Sequence, residues 1–466
     1  MMDRRKFMVG SGTAIAASAV GLGAASLQSS KSAASTRVAL KLQKARYKIN
    51  TVFTENMVSL SPDRPPPVIW MDQYAPFAAD VTNGLSEYTA MHWHGIRLPN
   101  KMDGVPYLTQ LPLGQNDTYH YRFTPDDAGT YWYHPHCMTM EQMARGLTGV
   151  LIVREKDDPK FDADIPINLR DFRLKSDDQF TQLFTMKGAA RGGTKGTVIT
   201  ANWRKEYQES APAGGLVRLR LVASDPTRNY KIAMAKSDGK VIALDGHPLS
   251  KPWSLPTEAK PLILSPGQRA DIALVMPREE GKEIVISTML GQRARTLSRI
   301  RSKGSSLNRK LNDLRPLKPN PLSVPDLKKA ELHEFVFGWS PDENGPNNGL
   351  CGSMEFTFWS INRKPWPGDA VKDTGPLLTM KQGRSYVLRL RNESPNHHPI
   401  HLHGMTFITL RSNKRKITPT WSDTVLLGRN ETVEIAVVAD NPGDWAFHCH
   451  VIEHQKTGLA GFVRVE

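Results

Sequence analysis

Short segments in which apolar and polar residues alternate recur from one end of the chain to the other. Because successive side chains of a strand point to opposite faces, such segments predict half-buried β-strands rather than helices. The clearest are 118–123, 149–153, 216–222, 240–244, 283–287, 385–391 and 432–438. Between them lie many of the 35 glycines and 33 prolines, as turns between short strands require. The chain is therefore predicted to be all-β.

These strands fall into three regions of similar size. Residues 36–158, 159–292 and 326–466 each carry several predicted strands. Between the last two regions, residues 293–325 are rich in Lys, Arg and Pro and predict a linker. A chain of 466 residues is too long for one ordinary domain, and short strands at this spacing are typical of β-sandwiches. We therefore predict three consecutive β-sandwich domains.

The first 35 residues have the features of an export signal. Arg4 and Arg5 are followed by Lys6-Phe7 and then by a weakly apolar stretch rich in Ala, Gly and Ser. This pattern resembles a twin-arginine signal, which engages the machinery that exports folded proteins. An ordinary secretory signal or an N-terminal tail is the alternative. We predict a periplasmic or secreted protein whose mature chain has no transmembrane segment.

The net charge of the chain is +15, and much of it lies in one segment. Residues 293–318 contain nine Lys or Arg and a single acidic residue, Asp313. Such a segment fits either a solvated linker or a surface that binds polyanions or anionic lipids. No nucleic-acid-binding motif accompanies it, so we expect no nucleic acid partner.

Ten of the fourteen histidines lie in four compact motifs. Residues 92–95 and 401–404 both have the pattern His-X-His-Gly, and a second His-X-His pair follows each of them, at 134–136 and 448–450. This repetition indicates that the first and last domains are related. On a strand, the two histidines of a pair project to the same side, so eight imidazoles could together hold three metal ions.

Cys449 lies between His448 and His450, and its thiol indicates which metal the site would bind. Alternation on a strand points its thiol to the opposite side from both imidazoles. With His398 and His454 it completes a His₂Cys set, which is typical of blue copper electron-transfer sites. A structural zinc site would instead need a closed set of four ligands at finger-like spacing. An electron that reaches the sulfur has a short covalent path to the flanking imidazoles.

Four segments together resemble the copper motifs of the multicopper oxidases, in particular the three-domain group of laccases and bacterial copper-efflux oxidases. They are His92-Trp-His-Gly95, Trp132-Tyr-His-Pro-His136, His398-Pro-Ile-His-Leu-His-Gly404 and His448-Cys-His-Val-Ile-Glu-His454. The resemblance spans almost the whole mature chain. It implies three cupredoxin-like Greek-key domains and four copper ions per chain: one type 1, one type 2 and a binuclear type 3 pair.

The resemblance also assigns the ligand positions. His92 and His401 resemble the type 2 ligands, whereas Cys449, His398 and His454 resemble the type 1 ligands. The type 3 ligands would be His94, His134, His136, His403, His448 and His450. The implied reaction is one-electron oxidation of a small donor at type 1 copper, coupled to the reduction of O₂ to water at the other three ions.

Several residues near the motifs affect the expected type 1 potential and the supply of protons for O₂ reduction. Leu459 stands ten residues after Cys449, where many bacterial relatives have an axial Met, and this predicts a raised type 1 potential. Asp103 matches the family's acid near type 2 copper, and we predict a proton-relay role for it, with an ordinary turn residue as the alternative. Gln455 replaces an acid found in many relatives, and Glu453 is the candidate to compensate.

The sequence defines the electron donor least well. We expect a phenol or aromatic amine, with Mn(II), Fe(II) or Cu(I) as the alternative donors and a non-catalytic cupredoxin scaffold as a third hypothesis. Loop 393–397 lacks the Met that cuprous oxidases carry before the first type 1 histidine. Met138, Met140 and Met143 predict either Cu(I) binding or packing in a core.

The other two of the three cysteines are Cys137 and Cys351. In an oxidising compartment they would either form a disulfide between the first and last domains or remain free thiols.

Overall fold

The computed structural model describes residues 35–235, 237–341, 351, 356–368 and 374–466, and this part of the chain consists largely of β-strands. The predicted all-β class is confirmed. The predicted export signal, apart from its last position, lies outside the described residues. No helix in the described part is both long and apolar enough to cross a bilayer.

The first sandwich contains two four-stranded sheets and a short helix, α1 (Thr139–Ala144), between its last two strands. Its strands are β1 (Thr36–Tyr47), β2 (Thr54–Ser59), β3 (Ile69–Asp72), β4 (Phe77–Asn83), β5 (Met91–His94), β6 (Thr118–Phe123), β7 (Gly129–Pro135) and β8 (Gly149–Arg154). The strand orders are β2-β1-β4-β6 and β3-β8-β7-β5.

The second sandwich contains a six-stranded and a five-stranded sheet, with helix α2 (Met186–Ala189) after its first strand. Its strands are β9 (Ala163–Phe172), β10 (Val198–Ala201), β11 (Tyr207–Pro212), β12 (Leu216–Ala223), β13 (Tyr230–Met234), β14 (Gly239–Leu244), β15 (His247–Ser254), β16 (Leu262–Leu264), β17 (Arg269–Val275), β18 (Glu283–Leu290) and β19 (Arg293–Lys303). The strand orders are β10-β9-β12-β17-β14-β15 and β11-β19-β18-β13-β16.

The third sandwich also contains a six-stranded and a five-stranded sheet, and helix α3 (Ile452–Lys456) precedes its last strand. Its strands are β20 (Glu331–Trp339), β21 (Trp359–Ile361), β22 (Leu378–Met380), β23 (Ser385–Asn392), β24 (His398–Leu402), β25 (Phe407–Ser412), β26 (Trp421–Ser422), β27 (Thr424–Leu427), β28 (Thr432–Val438), β29 (Gly443–Cys449) and β30 (Ala460–Val465). The strand orders are β21-β20-β23-β28-β25-β26 and β22-β30-β29-β24-β27.

Alternating apolar residues from facing sheets form the cores. In the second sandwich, Leu219 of β12 and Ile286 of β18 belong to one buried cluster. The first and third sandwiches share another, which contains Val81 of β4, Leu151 of β8 and Phe447 of β29. The two histidine-bearing sandwiches are therefore packed directly against each other, and this contact positions the metal centre described below.

The segment predicted as a linker, 293–325, differs from expectation in its first third. Residues Arg293–Lys303 form β19, which pairs with β18 and β11 in the second sandwich. Exposed and buried side chains alternate along it. Arg301 and Lys303 are exposed, whereas Ile300 and Ser302 are buried. Because arginines dominate the composition of this segment, its alternation of exposed and buried positions is not evident from the sequence. Residues 304–330 contain no strand and carry the connection.

Candidate metal centre

Two pairs of antiparallel strands hold the histidine pairs. β5 places His92 opposite His134 of β7, and β24 places His401 opposite His448 of β29. The second histidine of each pair lies two residues further along and on the same side. These are His94, His136, His403 and His450. Strands from the first and third sandwiches thus direct eight buried imidazoles into one region.

The eight imidazoles divide into three groups, and within each group the candidate ligand atoms lie within 4.8 Å of one another. Two of the groups are triplets that share no residue, and the third contains His92, His401 and His94, which also belongs to one triplet. The triplets are His94, His134 and His450, and His136, His403 and His448. Each triplet takes ligands from both ends of the chain, so the six histidines expected at a binuclear site fall into two equivalent sets.

Ring nitrogens that face into this region lack hydrogen-bond partners. They are Nε2 of His92, His134, His136 and His401, Nδ1 of His94 and both nitrogens of His450. On four of these rings the other nitrogen is bonded to a protein oxygen, as from Nδ1 of His92 to the carbonyl of Asp103 at 2.7 Å and from Nδ1 of His401 to the carbonyl of Asp423 at 2.9 Å. Metal-binding histidines are held in this way. Unpaired buried nitrogens are otherwise costly, so this donor set fits bound metal ions.

Burial lowers the pKa of four imidazoles, those of His134, His136, His403 and His448, and neighbouring imidazoles lower it further. The pKa of His448 falls to about 3, and those of His134, His136 and His403 fall well below 6.5. A neutral imidazole keeps the lone pair that binds a metal. The cluster is therefore held in its ligand form.

Asp103 connects the two halves of the cluster. One carboxylate oxygen accepts a hydrogen bond from Nδ1 of His403 at 3.0 Å, and the other lies 3.2 Å from Nδ1 of His92. The side chain is only 1% exposed. A buried carboxylate in contact with two candidate ligands can orient them and exchange protons with what they bind.

Asp423 is a second buried carboxylate in the centre, and sequence reasoning missed it. Its Oδ1 lies 3.1 Å from Nε2 of His94, and Arg269 donates to both of its oxygens, at 2.9 and 2.7 Å. Burial would raise the pKa of Asp423, but Arg269 and then His94 hold it well below 3.8. No histidine motif contains Asp423, so no spacing in the sequence points to it. It directly precedes β27, whose pairing with β24 places it beside His401.

The glycine of the first His-X-His-Gly motif is explained by the same contacts. Gly95 has a φ of +87°, and a Cβ there would lie 2.7 Å from a carboxylate oxygen of Asp423 and would also collide with Arg269. Only glycine combines that backbone conformation with so close an approach.

A separate group forms on the other side of β29. Sγ of Cys449 lies 3.7 Å from Nδ1 of His398 and 3.5 Å from Nδ1 of His454, and the two nitrogens are 3.1 Å apart. The far nitrogens of the imidazoles bond to Ser394 Oγ at 2.8 Å and to the carbonyl of Arg191 at 2.6 Å. Burial raises the pKa of the Cys449 thiol, so a positive ion is needed to stabilise its thiolate here.

The residues singled out around this group lie in different surroundings. Leu459 is fully buried in the apolar cluster that also contains Cys449. Gln455 is buried on α3, and its Oε1 lacks a hydrogen-bond partner. Glu453 accepts hydrogen bonds from the backbone N–H and the hydroxyl of Thr194, and burial raises its pKa. It belongs to none of the candidate metal-binding groups among the described residues.

Cys137 and Cys351 form a disulfide that links the first and third sandwiches. Cys137 directly follows His136, so the disulfide restrains the backbone beside the second triplet. Two methionines of the adjacent segment, Met140 and Met143, are buried in an apolar cluster with Trp132. Their positions correspond to core packing rather than to an open metal site.

Comparison with known proteins agrees with this geometry. Two family models, both described as multicopper oxidase, match residues 41–158 and 345–466. The crystal structure of a multi-copper oxidase from Pseudomonas thermotolerans is 34% identical, covers 93% of this chain and 100% of its own, and has a TM-score of 0.83. A second, from Pseudomonas parafulva, is 36% identical with coverages of 92% and 100% and a TM-score of 0.81.

Several curated relatives are also named multicopper oxidase. Multicopper oxidase MmcO of Mycobacterium tuberculosis is 28% identical over 417 residues, which are 82% of this chain and 77% of that protein. The likeness to the two solved structures extends over all three sandwiches and confirms the expected cupredoxin-like fold. Copper is the metal of the family, and the histidine and cysteine groups are compatible with it. The chain belongs to the multicopper oxidases.

Proposed function

We propose that this protein oxidises small reducing donors one electron at a time and reduces O₂ to water. Three residues, His398, Cys449 and His454, would hold type 1 copper, and His92 and His401 would hold type 2 copper. Each triplet would hold one ion of the type 3 pair. When bound, copper would supply the one-electron chemistry at the first site and the four-electron reduction at the other three ions.

The observation that carries the proposal is the position of Cys449. It shares β29 with His448, and His450 follows directly, so one strand end serves both the His₂Cys group and the histidine cluster. The thiol faces one group while the two imidazoles face the other. Few covalent bonds therefore separate the site that accepts electrons from the site that would use them.

The remaining residues have supporting roles in this reaction. Asp103 would hold a proton at its carboxylate and pass it into the cluster, because it already contacts His92 and His403. Asp423, fixed by Arg269, would orient His94 and His401. All of these groups are buried, so bulk water is kept from the reacting centre.

We propose a phenol, aromatic amine or similar organic reductant as the donor. Relatives include a protein named Laccase-1 from Botryotinia fuckeliana, 26% identical, but also one named iron transport multicopper oxidase FET3 from Candida glabrata, 24% identical. A metal-ion donor is the second candidate. Against Cu(I) in particular, loop 393–397 contains no Met, and Met140 and Met143 are packed in a core.

We further propose that the protein works outside the cytoplasm, after export through the twin-arginine route. The Arg4-Arg5 start supports this route, and the Cys137–Cys351 disulfide supports an oxidising compartment.

The test begins with copper-loaded protein, whose His₂Cys site should give the blue absorption of such sites. O₂ consumption is then measured with a panel of phenols, aromatic amines, Mn(II), Fe(II) and Cu(I). Blue protein that consumes O₂ fastest with organic donors supports the proposal, and faster consumption with a metal ion moves the assignment to the second candidate. Colourless protein after loading, or no O₂ consumption with any donor, would favour a non-catalytic scaffold.

A further inference from the structure

Direct approach from solvent to the His₂Cys group is closed. His398 and His454 are both 0% exposed. The outer nitrogen of His454 donates to the carbonyl of Arg191, which follows α2 of the second sandwich, and that of His398 is bonded to Ser394. A donor molecule therefore cannot touch either imidazole edge in this structure. An electron that reaches the group must cross protein.

One side chain is in contact with both imidazoles. The indole of Trp359 lies with its centroid 4.8 Å from the ring of His398 and 4.8 Å from that of His454. Trp359 is fully buried, and its Nε1 donates to the carbonyl of Ala189 at 2.8 Å. That bond fixes the orientation of the indole relative to the segment that covers His454.

A second indole connects this ring to the surface. Trp339 stacks on Trp359 with ring centroids 4.3 Å apart and planes at 16°. The two residues are register partners in the antiparallel pair of β20 and β21, so the backbone itself holds the stack. Trp339 is 42% exposed. Two stacked indoles thus bridge the distance from solvent to the candidate ligands.

We infer that Trp339 and Trp359 are the electron entry path, with Trp339 as the surface group that donors contact. The inference rests on the proposed function and names how electrons reach the site held by Cys449. The donor loses one electron, and a phenolic donor also releases its proton to solvent. The electron passes through the two indoles to the His₂Cys site, which is reduced by one electron. No bond between donor and protein forms or breaks.

Tryptophan suits this task for two reasons. Its indole loses an electron far more readily than a phenyl ring does, and its flat face accepts an aromatic donor by stacking. Because a donor needs only to reach an exposed indole, the path favours aromatic reductants too large to enter a narrow cleft. The path does not favour hydrated metal ions as donors, because an indole offers them no carboxylate ligand.

The variant Trp339→Phe keeps an apolar ring on the stack but removes the oxidisable indole. The control is Trp253→Phe, which alters a half-exposed indole of β15, and Trp339→Tyr tests rescue by another oxidisable ring. Unchanged melting temperature and blue absorption would show that the fold and the His₂Cys site are intact.

In anaerobic stopped-flow mixing with a bulky phenol, we expect type 1 reduction to slow about tenfold in Trp339→Phe, the low end of the range for residues that support metal ligands, because Trp339 reaches the ligands through Trp359. Trp339→Tyr should recover part of the rate, and Trp253→Phe should match the wild type.

A second readout needs neither donor nor O₂. Flash-generated tris-bipyridine ruthenium(III) is used to oxidise the anaerobic, Cu(I)-loaded protein, and transient absorption follows an indole radical and then the blue band. The wild type should show the radical giving way to the blue band, and Trp339→Phe should lose this fast phase. In copper-free protein the same flash should leave a longer-lived indole radical, visible by electron paramagnetic resonance, that Trp339→Phe diminishes.

The two proposals fail differently. Absence of blue absorption or of O₂ consumption in the wild type would overturn the proposed function. A working wild type whose Trp339→Phe variant reduces type 1 copper at the same rate and keeps the fast flash phase would overturn the entry path alone.

Discussion

Nδ1 of His403 lies 3.0 Å from a carboxylate oxygen of Asp103, although 300 positions separate the two residues in the chain. The bond crosses from the third sandwich to the first and holds an acid against a candidate copper ligand. Because Asp103 contacts a candidate copper ligand directly, a substitution at this position can test whether it supplies protons.

Changing Asp103 to Asn should slow the O₂ half-reaction and leave the donor half-reaction intact. Asn keeps the shape and can still bond to His403, but it cannot release a proton. We expect about a hundredfold loss, as for removal of a general acid. Stopped-flow reoxidation of the reduced protein by O₂ gives the rate, with the exposed Asp63→Asn as control. Equal slowing of both half-reactions would assign Asp103 a structural role only.

Changing Cys449 to Ser should abolish the blue absorption and remove one copper ion per chain. A hydroxyl is a poor replacement for a thiolate at a His₂Cys site. The histidine cluster shares no ligand with that site, so its copper should remain, as metal analysis and electron paramagnetic resonance would show. Loss of all copper from this variant would mean that the two sites do not bind independently.

Changing Leu459 to Met should lower the type 1 potential. A thioether beside the thiolate stabilises Cu(II) relative to Cu(I), whereas the buried leucine cannot act as a ligand. Redox titration of the blue band measures the shift, and Leu459→Ile controls for repacking. An unchanged or higher potential in the Met variant would contradict the prediction.

Changing Asp423 to Asn should weaken copper binding in the histidine cluster by about 10–100-fold, the usual cost of losing a partner of a metal ligand. The change also leaves Arg269 with a weaker partner inside the protein, so the melting temperature should fall. Titration with a copper chelator gives the affinity, and persistence of the blue band serves as the internal control. Copper retention equal to that of the wild type would show that Asp423 serves the fold alone.

Replacing Cys137 and Cys351 together with Ala should lower the free energy of unfolding by about 2–5 kcal/mol. The disulfide closes a long loop between the first and third sandwiches, so its loss frees the unfolded chain. The blue absorption should persist, because neither cysteine belongs to the His₂Cys group. Denaturant titration of the copper-free protein separates this effect from that of metal binding.

The histidine pairs could be predicted because each lies within a strand or across its end, and the alternation of side chains there determines which ones face together. His92 and His94 needed no knowledge of the tertiary fold to be grouped. The division of the other histidines into two triplets could not be derived, since it depends on how the first and third sandwiches pack. Asp423 and Arg269 could not be predicted for the same reason: they belong to the third and second sandwiches, and only the packing of these two brings them together.

The error over 293–303 has a different cause. Its outward arginines satisfy the charge criterion for a linker, while its inward side chains include small polar ones, Ser298 and Ser302, that weaken the apolar signal. Trp339 and Trp359 were likewise invisible as a pair, because twenty residues separate them and only the register of β20 and β21 brings their rings together.

The division of each triplet between the first and third sandwiches has a consequence for biosynthesis. No nascent chain that ends before residue 448 contains a complete triplet. Copper binding in the cluster would therefore follow synthesis of both histidine-bearing regions, because neither sandwich alone can supply a complete triplet. A filled cluster would thus report that synthesis had passed His450 and that the first and third sandwiches had packed together.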